Sequence, residues 1–471
     1  MFDLFKKKVI SKEAIASMLN TSPEALAAFE ASYERYSLEQ DTSDNLFAIN
    51  AKQMAGIKKD QSPAVTTDKD YLDNLKARIV NELVAQTVVW NYDGETKFAE
   101  ACADTKYIGE SVALSDINAV ATELRPQLSG MFMKVDINGH SSEALLSTYK
   151  HFMEEKRPTH KKNFYHRFRQ GLDILDLDPL TYEIIGTNPN SMGFWLPEIV
   201  DAVHSDGFFK IPKTKIIKVP MTLLQLTRCD YAALTRTTLD IVDDYCMKVF
   251  NLDTSKDYFI KTGTYSSKFD FRNAHVTGEQ EVRELGEYLL FIHYQALSHA
   301  HYDLSGLNQP IIYGMSTTNE WVVREFIPDT EDNLKIYHGL PLRTEYRVFV
   351  DFDDDKIIGI SPYWKPSVMK ERFGNAADSN NPDMIHDYIT YTANEEKLMK
   401  RYNDNKDVVM SHIRNLLPDV NLSGQWSIDI MQNGDDFYII DMAIAETSAL
   451  YDCVPLADRR VSPENWLPEI K

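Results

Sequence analysis

The run QWSIDIMQNGDDFYIIDMAIAE, residues 425 to 446, sets Asp441 inside an otherwise apolar stretch. A carboxylate buried without a partner is costly, so this strand must deliver Asp441 to a cation, a hydrogen-bond donor or water. The run reads as a hairpin turning at Asn433-Gly434, with Asp429 on its first strand. Side chains alternate with period two, so the loop decides whether the two aspartates share a face. A two-residue turn at Asn433-Gly434 pairs position 429 with position 438 and sends Asp441 to the opposite face. A three-residue loop with a glycine bulge, or a five-residue loop, brings both aspartates together, and an odd-length loop is the expectation.

Three further pieces precede this hairpin. In DYFIKTGTYSSKFDFRN, residues 257 to 273, a β-rich run ends at Lys261 and is followed by Thr262, Gly263, Thr264, Ser266 and Ser267. An ammonium there neutralises phosphate charge, and small residues let backbone amides approach it. A snorkelling surface lysine beside a polar loop is the plain alternative. VVREFI is an apolar strand carrying Arg324 and Glu325. RTEYRVFVD puts Glu345 and Arg347 on one face and Tyr346, Val348 and Val350 on the other. Arg347 can grip a phosphate or carboxylate bidentately, or pair structurally with Glu345. Two carboxylates on one sheet face, Asp429 and Asp441, can hold Mg²⁺ against ATP phosphates.

The chain around these pieces has 471 residues, a length for two to three domains, with 43% hydrophobic and 26% charged residues, as in a globular protein. Its formal charge of −21 argues against nucleic acid and against an anionic membrane surface as partners. The basic, aromatic-laced run EKRPTHKKNFYHRFR, residues 155 to 169, is the local exception, read as a solvated helix face or as a contact for phosphates, RNA or an acidic partner. None of the four cysteines forms a CxxC pair, so neither zinc nor a disulfide framework is indicated, and a reduced cytoplasm is the expected location. No signal peptide or membrane helix is read from the sequence.

Hydrophobic spacing points to an α+β chain. Residues 1–150 read as a mostly helical region: helices at 11–37, restarting at Ser22-Pro23, and at 71–89, with no strand before Asp136. Residues 151–210 read as a linker and helical segment. Residues 211–328 and 329–471 form two strand-rich lobes, with helices at 237–250, from about Gly278, and at 394–417. His293, His299 and His301 read as ordinary helix histidines, and GFWLP, residues 193–197, as domain packing.

The order of motifs resembles the ATP-grasp superfamily, most like the branch that contains the eukaryotic assembly chaperone of translation initiation factor two (cell division cycle protein 123-like). FIKTGTYSS stands where that branch has a strand lysine before a serine-containing loop. VVREFI and EYRVFVD match its hinge strand and its Glu-Phe-Arg-type strand. SIDIM and IIDMAIAE match its metal-binding strands. The resemblance spans residues 210 to 455 and implies a two-lobed nucleotide site between β-sheets, preceded by the helical region. It implies ATP and Mg²⁺ as cofactors. Lys261 and Arg347 would act on the phosphates, with Lys218 as a second phosphate lysine. Ser266 and Ser267 would line the phosphate loop. Arg324, Glu325, Phe326 and Ile327 would form the hinge that holds adenine. Asp429 and Asp441 would bind metal. The family's metal-binding Asn is Ala443 here, leaving Glu446 to substitute, or one metal lost, or binding without efficient chemistry.

The implied activity is that of a ligase, in which a carboxylate substrate takes the γ-phosphate as an acyl phosphate and an amine captures it. The alternatives are a nucleotide-regulated assembly factor with a protein partner, a polynucleotide ligase-like nucleotidyltransferase with Lys261 as nucleophile, and a purely structural protein. The nucleotidyltransferase signature Lys-x-Asp-Gly or Lys-x-Asn-Gly is not met by Lys261-Thr262-Gly263.

Overall fold

In a computed structural model, the structure describes residues 76–94 (apart from 78, 82, 85 and 86), 99–102, 185–304 (apart from 187, 229–233 and 235), 318–373 and 382–460. The helices expected at 11–37 and the basic run at 155–169 lie outside the described residues. No helix among the described residues is long and apolar enough to cross a membrane.

The described chain is a mixed helix-and-sheet fold. Strands β1 (Val88–Tyr92), β2 (Ala99–Cys102) and β3 (Phe209–Lys210) flank helix α1 (Met192–Asp206) in sequence; β4 (Thr214–Lys218), α2 (Arg236–Val249), β5 (Tyr258–Thr262), β6 (His275–Val276), α3 (Leu285–Leu304) and β7 (Glu320–Glu325) follow. Then come β8 (Lys335–Ile336), β9 (Leu340–Pro341), β10 (Thr344–Asp351), β11 (Lys356–Pro362), α4 (Pro366–Phe373), α5 (Pro382–Leu416), β12 (Gln425–Asn433) and β13 (Asp436–Ile444).

Two main sheets result. The first has six strands in the order β2-β1-β4-β7-β5-β6, all antiparallel. The second has five, in the order β11-β10-β12-β13-β3, where only β3 joins in parallel. Period-two alternation sorts the faces. Ile217, Ile260, Trp321 and Val323 pack on α2 and α3, while Ile216 and Val322 turn to the core shared with α1, α5 and the second sheet. Tyr346, Val348, Ile428 and Ile430 enter that same shared core.

Some expected boundaries move. Helical residues do fall within 76–84, but Val88 and Val89 belong to β1, and β1 and β2 are strands where the sequence pointed to helix. VVWNY is rich in β-branched and aromatic residues, and pairing with β4 buries Val89 and Tyr92. Residues 192–210, within the expected linker and helical segment, supply helix α1 and, where no strand was expected, the β3 strand of the second sheet. Helix α5 begins at Pro382, well before the expected residue 394. Trp195 is buried in the shared core and Phe194 stacks on Trp426 with ring centroids 6.3 Å apart, so GFWLP serves packing as expected.

The approach of α3 to α2 depends on one small residue. Asp243 of α2 accepts the amide of Glu287 at 2.8 Å, an anion at the start of α3 where unpaired amides and the helix dipole favour it. Gly286 beside it has no room for a side chain: a Cβ would stand 2.5 Å from the carbonyl oxygen of Val242 and 2.9 Å from Cα of Asp243. Both obstacles are backbone and cannot rotate away. Gly286→Ala is therefore expected to lower stability by about 3 kcal/mol, read as a fall in the urea midpoint at unchanged slope.

Candidate functional site

A cleft opens between the two sheets, walled by β5 and β7 on one side and by β10, β12 and β13 on the other. Its lining is mixed: Phe259, Phe271, Phe326, Leu340, Met431 and Ile440 are apolar, and Lys261, Lys268, Arg324, Arg343, Glu345, Asp429 and Asp441 are charged. Alternation along β5 explains the arrangement, because Phe259 and Lys261 are two residues apart and share the face that looks into the cleft.

Asp429 and Asp441 are direct cross-strand partners, so the two carboxylates do share a face. The device differs from the expected one. The loop is Gly434 and Asp435 alone, an even number, and the register is corrected higher up, where Ile430 pairs with Ile439, Asp429 pairs with Asp441, and Ile440 is the extra residue of a bulge.

Each aspartate already holds a cation of this chain. Arg347 Nε and Nη2 donate to the two oxygens of Asp429, both at 2.7 Å, and Nη1 donates to the carbonyl of Ala449 at 3.0 Å. Burial opposes the charge on Arg347, but Asp429 outweighs it and holds the guanidinium pKa well above its ordinary value. Arg347 thus pairs with Asp429 across β10 and β12, not with Glu345. Lys261, 2% exposed, reaches from the first sheet to Asp441 Oδ1 at 3.0 Å. Burial pulls its pKa down, partly offset by Asp441.

Arg324 is 3% exposed. Its Nε donates to Thr214 Oγ1 at 3.1 Å and Nη1 to the carbonyl of Ile440 at 2.6 Å, while Nη2 is buried with no hydrogen-bond partner. Burial lowers this guanidinium to about 10. Lys268 donates to the Tyr363 hydroxyl and sits 4.2 Å from the centre of that ring. Burial opposes its charge, yet Tyr363, Glu345 and Asp429 raise its pKa overall. Glu345, 7% exposed, is pushed up to about 7 by burial; Lys268, Arg343 and Arg347 oppose the rise and Asp429 adds to it.

The remaining expected residues divide. Ser266, Glu325, Phe326 and Ile327 line the cleft. Ser267 is buried and donates to Gln295 of α3 at 3.0 Å. At the hinge, the Phe326 amide is taken by the carbonyl of Asp257 at 3.3 Å, and the Ile327 carbonyl accepts Arg343 Nη2 at 2.7 Å. Lys218 stands apart from the cleft, its ammonium 5.6 Å from the Trp90 ring centre. Gly263 serves packing: a Cβ there would lie 2.7 Å from Oε2 of Glu320, whose carboxylate accepts the Gly193 amide at 2.9 Å at the start of α1. Thr262 Oγ1 takes the Tyr265 amide at 2.9 Å, and Gly263 donates its amide to the Glu320 carbonyl at 3.0 Å. The first amides of the loop are therefore spent on the fold.

Lys268, Arg343 and Tyr363 are cleft or cleft-edge residues that the motif reading passed over. Lys268 lies in the same quoted loop as Lys261, and Arg343 precedes Glu345 and Arg347 at the same two-residue spacing, a signal that was present in the sequence.

These residues suit a phosphate-bearing anion: three of the cations face one space and one of them has an unpartnered buried donor. They do not suit the expected metal. Asp429 spends both oxygens on Arg347, Asp441 holds Lys261, and Ala443 offers no ligand. Glu446, on the turn Ala445–Thr447, does not line the cleft. No group of three or more His, Cys, Asp or Glu side chains that could hold a metal ion occurs among the described residues. The helix histidines act as expected, His293 accepting the indole N–H of Trp321 at 3.1 Å; the side chain of His301 is outside the described residues.

No protein-family model matches the chain, and no curated protein matches it. Among solved structures it is similar to C-terminally truncated Cdc123 from Schizosaccharomyces pombe, with 13% identity and a TM-score of 0.32 over 57% of this chain and 92% of that one. It is also similar to Cdc123 from the same organism, with 15% identity and a TM-score of 0.30 over 58% and 93%. At these scores the likeness leaves function to be argued from the cleft itself.

Proposed function

We propose that the cleft binds a nucleoside triphosphate, ATP in the first instance, in the ATP-grasp manner between the two sheets. The observation that carries this reading is Arg324 Nη2, a buried donor without a partner, in a cleft that Lys261 and Lys268 also line together with apolar and aromatic residues. Burying a donor unsatisfied costs about 1–3 kcal/mol, a cost that an anion in the cleft removes. The base would occupy the space near Phe259, Phe271, Phe326 and Met431, and the phosphates would face the cations. The order of motifs along the sequence supports the same orientation.

Between the activities open to such a site, the geometry favours a nucleotide-regulated binding factor over a ligase with efficient turnover. Phosphoryl transfer needs charges positioned for the transition state, and here Arg347, Asp429 and Asp441 are committed to each other and to Lys261. The ligase reading keeps one supporting observation, the buried carboxyl of Glu345, which titrates near neutrality and could take a proton from an attacking amine.

Calorimetry with ATP tests the reading. Wild type should bind, and Arg324→Met should weaken binding about 10- to 100-fold, the worth of a charge-assisted hydrogen bond. Because Arg324 also ties β7 to β13, Lys268→Met at the cleft edge is measured beside it and should weaken binding in the same direction. No heat with wild type at millimolar ATP sinks the nucleotide reading, and stoichiometric ADP release with an added acceptor would favour the ligase.

Proton linkage gives a second expectation. Glu345 is faced by Lys268, Arg343, Arg347 and Asp429. A polyphosphate brings negative charge to this carboxyl and engages Lys268, so its pKa rises from about 7 on binding. The complex then holds more protons than the free protein. Below both pKa values nothing changes; as pH rises through 7, affinity falls. Binding at pH 7.5 should take up a fractional proton, seen as a dependence of the measured enthalpy on buffer ionisation, and Glu345→Gln should remove that part of it.

A further inference from the structure

The geometry points to a cleft that takes its polyphosphate as the free anion, with protein cations in the place a divalent metal would fill. This inference rests on the nucleotide reading above and concerns how the charge is neutralised. A bound Mg²⁺ needs carboxylate oxygens free to coordinate it and demands near-octahedral geometry. Of the two carboxylates that the hairpin brings together, Asp429 offers no free oxygen and Asp441 offers Oδ2 alone, one ligand where a metal held by the pair would need both. Both oxygens of Asp429 accept from Arg347 at 2.7 Å in a fork-to-fork pair, the strongest arrangement a carboxylate and a guanidinium make. Oδ1 of Asp441 accepts Lys261 at 3.0 Å and the amide of Met442 at 3.1 Å. Freeing either one strands a buried cation.

The same cleft supplies positive charge directly. Lys268 is held in it with its ammonium favoured by Tyr363, Glu345 and Asp429. Arg324 offers Nη2, buried and unpartnered. Lys261 completes the group from β5, poised between Asp441 and any anion entering beside it. The lining matches Lys261, Lys268, Arg324 and Arg343 with Glu325, Glu345, Asp429 and Asp441, so what calls for an anion is the Arg324 nitrogen that none of these carboxylates takes.

The test uses the full chain with ATP and, separately, inorganic tripolyphosphate, each titrated in EDTA and in excess MgCl₂. In EDTA both should bind. Excess MgCl₂ should weaken apparent binding several-fold, because it sequesters the free anion. In parallel, Mn²⁺ titrated into the protein without nucleotide should leave the electron paramagnetic resonance signal of aqueous Mn²⁺ undiminished. Lys268→Met, checked for an unchanged melting temperature, should weaken binding in EDTA ten-fold or more. A ten-fold or larger gain in affinity on adding Mg²⁺, or stoichiometric loss of the Mn²⁺ signal, overturns metal-free binding and leaves the nucleotide reading standing. Lack of binding by either anion in both conditions overturns the nucleotide reading, and this inference with it.

Discussion

Ile440 is the extra residue of a bulge in β13, and the two sheets meet through what that residue does. Its carbonyl accepts Arg324 of β7 at 2.6 Å, and the residue after it, Asp441, accepts Lys261 of β5 at 3.0 Å. Both contacts cross from the second sheet to the first. With a uniform register from the Gly434-Asp435 turn, Asp441 would stand opposite Ile428, whose side chain lies in the shared apolar core. A carboxylate there would be buried among hydrocarbon. The bulge shifts Asp441 by one position to the cleft face while Ile439 and Met442, on either side, both keep their places in the core.

Charge is sorted around this join. Arg347 and Asp429 satisfy each other within the second sheet, and Lys261 and Asp441 satisfy each other between sheets. Arg347–Asp429 is largely buried on both sides, whereas in Lys261–Asp441 only the lysine is; a buried pair contributes little net stability, since desolvation offsets attraction, but removing one partner of it costs about 3–5 kcal/mol. They therefore fix geometry more than they stabilise it. What stays chemically available is smaller and more specific: one nitrogen of Arg324, the ammonium of Lys268, the carboxyl of Glu345 and Oδ2 of Asp441. The cleft is defined by these four as much as by its walls.

The strands that form the cleft were legible in the sequence because alternation and β-branched residues coincide there. EYRVFVD assigned Glu345 and Arg347 to one face correctly, and the same spacing extended back to Arg343. The hairpin was legible in outcome but not in device. Asp429 and Asp441 do meet, yet the correction is made by a bulge inside the strand, where the doublet Ile439-Ile440 was its trace. Strand β1 was hidden because VVWNY follows directly on a helical pattern and only pairing with β4 decides its state. Gly263 was misjudged for a tertiary reason: its missing side chain accommodates Glu320, a residue far along the chain. The partners of Arg347, Lys218 and Lys261 could not be read: the first two depend on which strands pair within a sheet, and the third on how the two sheets are placed.

A site built this way has a consequence for how occupancy can matter. Lys261 is shared between holding the sheets together and facing an anion. A ligand that draws its ammonium away weakens the link to Asp441, while one that adds a phosphate between Lys261, Lys268 and Arg324 supplies a new link in its place. Ligand can shift the arrangement of the sheets only by the difference in its affinity for the two arrangements. That difference resides here in a few charge-assisted hydrogen bonds in the cleft. A few such bonds are enough for a population shift of one or two orders of magnitude, the scale of a binding switch, whereas efficient turnover would require the same groups to favour a transition state over the bound triphosphate.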